Sequence, residues 1–193
     1  MKKILIKLLF LFFICFPVNS EIKILPIIEG NINAKIKFII FESLTCSHCA
    51  DFHKDVYPIL KENYIDTGLA SIEFKSFPLD IAALNASKVA HCKNDGKSEI
   101  LHFLFDNQSK WAEGNSIEEF NNNLEKILNS QSFDIDFNKC IDNKKIEDYV
   151  LEDRIEGVKK FKINATPTII INGEKFNKPL TFKNLKKFLE KLI

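Results

Sequence analysis

Phe38-Ile39-Ile40-Phe41-Glu42-Ser43-Leu44-Thr45-Cys46-Ser47-His48-Cys49 runs from an apolar, β-branched segment straight into two cysteines three residues apart. If Phe38 to Phe41 is a strand and a helix begins at Cys46, the i, i+3 spacing sets the two Cα atoms about 5 to 6 Å apart, the separation a disulfide prefers. The pair can then open and close without backbone movement. Cys46 falls at the N-cap, so the unpaired N–H groups of the first turn face its sulfur. The helix dipole and the neighbouring His48 act in the same direction and favour a thiolate there. The consequence is large: a thiol of pKa about 8.5 is only about 3% ionised at pH 7, and one lowered by two units is about three-quarters ionised. Cys46 is therefore read as a nucleophile. Cys49, one turn in, is read as the thiol that resolves a mixed disulfide formed at Cys46.

A lone C-x-x-C also occurs as half of a zinc site, which needs two further Cys or His ligands at suitable spacing. No second C-x-x-C and no H-x-x-x-H is present. His53, one turn beyond Cys49, is read as a solvated helix histidine rather than a ligand, and no metal or cofactor is expected.

The compartment decides what a reactive dithiol does. Lys2, Lys3 and Lys7 precede the apolar stretch Leu8 to Val18, and Val18-Asn19-Ser20 offers small residues for cleavage before Glu21. Residues 1–20 thus read as a secretory signal peptide, too short to span a bilayer comfortably, with an uncleaved N-terminal anchor as the other reading. Cys15 lies in this segment. Ile14 before it is unlike the small residue a lipid-attachment signal requires. The full chain has 27 basic and 26 acidic residues. Cleavage removes three lysines and no acid, leaving 24 against 26 and a formal charge of −2. Nothing in that balance suggests nucleic acid. Residues 21–193 are sufficient for one domain with a proper core, and the expected location is the periplasm.

Four cysteines remain in that domain, and an even count in an oxidising compartment favours pairing. With Cys46 and Cys49 as the reactive pair, Cys92 and Cys140 are left to form a bridge, or else stand as two separate buried thiols.

Downstream, Asp51 to Asn63 reads as a helix with Phe52, Val56, Ile59 and Leu60 on one apolar face and a kink at Pro58. Leu69 to Phe77 alternates as a strand ended by Pro78. From Ile81 to about Lys160 the pattern is helical, broken at Asn94-Asp95-Gly96 and Gly114-Asn115. Ser116 with Glu119 reads as a capping box, and Ser132 or Asp134 as the start of a short helix holding Cys140. Trp111, Phe103, Leu104 and Phe105 are spaced as core residues. Then comes Thr166-Pro167-Thr168-Ile169-Ile170-Ile171-Asn172-Gly173, a proline at the head of a β-branched run that ends in a hairpin turn signal. A cis Thr166-Pro167 bond there would turn the Thr166 backbone outward, where an extended substrate could pair with it. Lys175-Phe176 reads as the returning strand, and Thr181 as the cap of a last helix with Leu185, Phe188, Leu189 and Leu192 inward. The order is strand, helix, strand, helical insert, hairpin, helix.

That order, with C-x-x-C at a strand-to-helix junction and Thr-Pro before a later strand, resembles the thioredoxin fold, an α/β architecture of a central mixed sheet flanked by helices. The insert at about 81–160, including Leu104-Phe105-Asp106-Asn107-Gln108-Ser109-Lys110-Trp111, narrows the resemblance to the DsbA family of thiol–disulfide oxidoreductases. The second cysteine pair resembles the alphaproteobacterial-type variant with a structural disulfide. The resemblance covers essentially residues 22–193. It implies that Cys46 is the exposed nucleophile, Cys49 its buried partner, His48 the stabiliser of the Cys46 thiolate, and Thr166-Pro167 a cis-proline loop facing them. It further implies reduced exported proteins as substrates and a membrane quinone-linked, DsbB-like reoxidising partner. Two departures stand out. The family's dipeptide is commonly Pro-His where this chain has Ser47-His48, removing a fixed φ and adding a hydroxyl. A buried acid often precedes the nucleophile by six residues, and Ile40 occupies that place, with Glu42 on the same strand face. Rival readings share some of these residues: a reductase or isomerase of the same fold, a periplasmic zinc- or copper-binding module, and an adhesin-like or chaperone protein in which the motif is incidental.

Overall fold

The computed structural model describes residues 23–192; the signal peptide expected at residues 1–20 lies outside them. Five strands form one mixed sheet in the order β1-β3-β2-β4-β5. They are β1 (Ile27–Gly30), β2 (Ile36–Glu42), β3 (Ala70–Ser76), β4 (Thr168–Ile171) and β5 (Glu174–Lys175). The β2–β3 pair is parallel and the other pairs are antiparallel. A parallel pair needs a long crossover, and the helical stretch from Ser47 to Ile65 supplies it. β2 sits at the centre of the sheet and is buried at Phe38, Ile40, Phe41 and Glu42.

The crossover is not one regular helix. α1 (Ser47–Asp51) passes into a π-helical turn at Phe52–Val56, then α2 (Tyr57–Leu60), then a second π-helical turn at Lys61–Ile65. Pro58 has no N–H to donate into the preceding turn, and the chain widens just before it: Tyr57 N–H donates to Phe52 O, five residues back. A π turn holds an extra residue, so it rotates everything after it by about 100° relative to an unbroken helix. The expected apolar face is corrected accordingly. Ile59 is exposed, while Tyr57, Tyr64 and Ile65 join Phe52, Val56 and Leu60 in the core.

The helical insert comprises α3 (Ile81–Ala90), α4 (Glu99–Asp106), α5 (Gln108–Trp111), α6 (Ile117–Leu128), α7 (Phe137–Ile141) and α8 (Lys144–Phe161). Asp80, Ser116 and Asn143 cap α3, α6 and α8 by accepting backbone N–H groups. The cap of α7 is Asp136 rather than Ser132 or Asp134, because Asp136 Oδ1 is placed to accept from Lys139 N–H at 3.1 Å. Trp111 is fully buried, and its indole N–H donates to Leu104 O at 2.9 Å. α8 returns across the opposite sheet face from α1. Its Gly157 permits that approach, since a Cβ there would lie 3.0 Å from the Phe41 ring and 3.2 Å from Phe77.

β4 is buried along its length, and Asn172-Gly173 turns it into β5 with φ of +50° and +88°, the left-handed pair that a tight hairpin requires. The returning strand is Glu174–Lys175, one residue earlier than Lys175-Phe176. Thr181 caps α9 (Phe182–Leu189), which buries Leu185 and Leu189. β1 has no counterpart among the elements read from sequence. It is a four-residue edge strand, and its pairing with β3 defines it more than its own composition does.

Cys92, just past α3, is bonded to Cys140 in α7, with Cα atoms 5.3 Å apart and a separation of 48 positions along the chain. A closed loop of this length stabilises a fold by up to about 4 kcal/mol in the chain-entropy treatment. Cys92→Ala with Cys140→Ala is therefore expected to lower the melting temperature by several degrees while leaving disulfide exchange largely intact. An unchanged melting curve would refute the stapling role.

Candidate active site

Everything around Cys46 derives from the β2-to-α1 junction. The strand ends at Glu42, and the Ser43-Leu44-Thr45 link is fixed by hydrogen bonds on both sides. Leu79 N–H donates to Ser43 Oγ at 3.3 Å, the Thr45 hydroxyl donates to Asp80 Oδ2 at 2.7 Å, and Cys46 N–H donates to Ser43 O at 3.0 Å. Gln108, from the insert, reaches across with its side-chain amide to Leu44 O at 2.8 Å and Cys46 O at 3.1 Å. These bonds aim the N-cap. Cys46 has extended backbone angles (φ −81°, ψ 117°), and its sulfur accepts Cys49 N–H at 3.3 Å.

Cys46 is half-buried and Cys49 fully buried. The Cys46 thiol is lowered to about 6. The Cys49 thiol directed at its sulfur is the largest cause; burial opposes the shift, and the Thr166 side chain and the backbone N–H groups of Cys49 and His48 add to it. Cys49 is pushed the other way. Burial raises it most, followed by its hydrogen bond to Cys46 and the field of Glu42. One sulfur is thus a half-buried thiolate at neutral pH and the other a sealed thiol.

His48 contributes differently from the expectation. Its imidazole is 83% exposed, with Nδ1 3.5 Å from Asp51, and its backbone N–H is the group that acts on Cys46. Thr166-Pro167 is cis and stands opposite the helix tip, with Cys46 Sγ 3.4 Å from Thr166 O. Next to the sulfur runs a groove of about 630 Å³, lined on one wall by His48, Phe52 and Val56 and on the other by Thr166, Pro167 and Phe182.

His53 is a correction. It is only 4% exposed: one turn on from the buried Cys49 it shares the inward face of the crossover, where Nε2 lies 2.8 Å from Glu42 Oε2 and Nδ1 lies 3.1 Å from Nδ1 of His102. The reading as a solvated histidine overlooked that the i, i+4 spacing from Cys49 places His53 on the inward face. Sequence reasoning placed Gln108 in the insert without giving it a role and passed over His102; both lie far along the chain from the sulfurs. Among the described residues, no group of three or more Cys, His, Asp or Glu is arranged to hold a metal ion.

A family model described as "Thioredoxin" matches residues 24–191. The chain is 31% identical to Wolbachia pipientis alpha-DsbA1, whose crystal structure superposes with a TM-score of 0.76 over 86% of this chain and 90% of that one. BdbD from Bacillus subtilis shares the fold at 19% identity, with a TM-score of 0.70 over 86% of this chain and 92% of that one. A Rickettsia bellii protein carrying the name protein-disulfide oxidoreductase is 29% identical over 160 residues, 82% of this chain and 61% of that protein. The chain spans 53% of a Rickettsia typhi relative of the same name. The extent of the family match, together with the identity to alpha-DsbA1 along most of both chains, establishes that this chain belongs to the DsbA family of thioredoxin-fold thiol–disulfide oxidoreductases.

Proposed function

We propose that this protein introduces disulfide bonds into exported proteins through the Cys46–Cys49 pair, with residues 1–20 directing it across the membrane ahead of a single domain. The observation that carries the reading is the opposed pair of sulfurs. A thiolate held at the helix tip stabilises the reduced protein, and a couple whose reduced form is stabilised is oxidising. A substrate thiolate attacks Cys46 in the oxidised protein, and Cys49 leaves. A second substrate thiolate then attacks the substrate sulfur of the mixed disulfide, and the Cys46 thiolate leaves. The groove beside Pro167 offers an extended chain a place to lie, with the cis bond presenting the Thr166 backbone next to the sulfur. Reoxidation by a membrane quinone-linked, DsbB-like partner completes the cycle. Among the described residues no helix is long and apolar enough to cross a membrane.

The pH dependence follows with a definite sign. Cys46 is depressed in the folded reduced protein, so between about 6 and the ordinary thiol pKa of about 8.5 the unfolded chain binds more protons than the native one. Stability of the reduced form therefore rises relative to the oxidised form across that window, and the advantage is lost as pH falls through 6. Melting curves of both forms at pH 5, 7 and 8.5 measure it. Titration in glutathione buffers, with Cys46 alkylation followed against pH, tests the direction of the reaction. An ordinary thiol pKa together with a strongly reducing potential would replace the oxidase reading with a reductase.

A further inference from the structure

The helical insert touches the reactive loop through side chains that the exchange steps leave without a part. Gln108 reaches furthest along the chain: it stands 62 positions beyond Cys46, and its side-chain Nε2 lies 2.8 Å from Leu44 O and 3.1 Å from Cys46 O. Its own backbone is fixed from behind. α4 ends at Asn107, whose N–H donates to Phe103 O at 3.1 Å, and α5 starts at Gln108 as a single turn. Trp111 closes that turn; it is fully buried and donates its indole N–H to Leu104 O at 2.9 Å, which pins α5 to α4. The Gln108 amide is thus delivered by packed helices rather than by a free loop.

Both acceptors are carbonyl oxygens, so only the NH2 end of the amide can occupy this place, and each of its two hydrogens serves one carbonyl. The two carbonyls bracket Thr45, whose hydroxyl is held by Asp80 at the head of the insert. Cys46 O also receives Cys49 N–H at 3.1 Å and Ala50 N–H at 3.2 Å, the bonds that open α1. Gln108 therefore grips the atom from which the first turn of α1 hangs. That turn supplies the donors facing the sulfur, with Cys49 N 3.3 Å from Cys46 Sγ. Held at its carbonyl, Cys46 keeps the extended angles (φ −81°, ψ 117°) that aim its sulfur at the helix tip. Released, the Leu44-Thr45-Cys46 link can turn the sulfur away from those donors. The amide hydrogens also set positive charge against a carbonyl oxygen of the very residue that bears the thiolate, offsetting the repulsion between two negative centres. Both effects favour the thiolate, and neither acts in the same way on an uncharged disulfide. A contact that favours the thiolate favours the reduced protein, and a couple whose reduced form is favoured is the more oxidising.

We propose that Gln108 is a positioning residue through which the helical insert sets how strongly oxidising the Cys46–Cys49 pair is. The role rests on the exchange reading and deepens it: the sulfurs sit at the β2-to-α1 junction, and the strength of the oxidant is fixed from the insert.

Two variants test it. Gln108→Met keeps the length of the side chain and removes both donors, and Gln108→Glu keeps its shape while turning acceptor oxygens towards two carbonyls. The thiolate absorbance of each reduced protein is titrated against pH, and each protein is equilibrated in glutathione buffers at pH 5 and pH 7. In Gln108→Met the Cys46 thiolate fraction at pH 7 is expected to fall from about nine-tenths to about half, and in Gln108→Glu further. The glutathione equilibrium should then move about fivefold towards the protein disulfide at pH 7, and hardly at all at pH 5, where Cys46 is largely protonated in parent and variant alike. A general loosening of the fold would act equally at both pH values. Gln108→Glu keeps the test decisive should Gln108→Met fail to fold. A folded variant with the parent's thiolate fraction, or a shift of equal size at pH 5 and pH 7, would overturn the role of Gln108. An ordinary Cys46 thiol in the parent protein would overturn the exchange reading instead.

Discussion

Cys46→Ala is expected to abolish disulfide exchange, while Cys49→Ala leaves a protein that forms mixed disulfides and cannot release them by closing a Cys46–Cys49 bond. The asymmetry follows from placement. Cys46 is the half-buried sulfur at the helix tip with its pKa lowered to about 6, so at pH 7 about nine-tenths of it is thiolate. Cys49 has no solvent contact and a raised pKa, and no incoming disulfide can reach it. Incubating each variant with an unfolded protein substrate whose single cysteine is pre-activated as a mixed disulfide, followed by non-reducing electrophoresis, separates the outcomes. Accumulated covalent complex in Cys46→Ala, or none in Cys49→Ala, would reverse the assignment of the two sulfurs.

Lys75→Met is expected to destabilise the fold by about 3 to 5 kcal/mol, the cost of leaving a buried charge without its partner. Lys75 projects from β3 onto the face covered by α8, where its Nζ lies 2.7 Å from Asp153, 2.9 Å from Glu156 and 3.4 Å from Glu73. Asp153 is 4% exposed and also accepts Ser76 N–H at 3.2 Å. Burial raises its carboxyl, Lys75 opposes the rise, and the net position is about 6. Removing the lysine lifts it further. A carboxyl whose folded pKa lies above its unfolded value favours the native state at low pH and loses that advantage as pH rises through the folded pKa. The deficit of Lys75→Met should therefore be largest at neutral pH and shrink below 6. Lys75→Met with Asp153→Leu removes both charges and should recover most of the loss. Urea denaturation at pH 5 and 7 measures all three proteins, and a single variant as stable as the parent would show that the ion pair contributes little.

The parts of this molecule legible in sequence are those governed by short-range rules. Cys46 and Cys49 share one turn, Thr166-Pro167 heads a β-branched run, Asn172-Gly173 makes its own hairpin, and Thr181 and Ser116 cap helices that begin beside them. Each involves groups within about four residues, where backbone geometry leaves few choices. Periodicity failed where that geometry changed: the π-helical turn before Pro58 turned Ile59 outward.

By itself, then, the sequence determined a strand-to-helix dithiol, a proline-headed strand and a helical insert, because spacing along one element sets which side chains share a face. Only the tertiary structure decided what surrounds the sulfurs. Gln108 reaches Cys46 O from 62 residues away, His102 meets His53 from 49 and Glu29 from 73, and β1 exists through its pairing with β3. Contacts of that range are selected by the packing of whole helices against a sheet, and no local pattern of residue types encodes where two distant elements will touch.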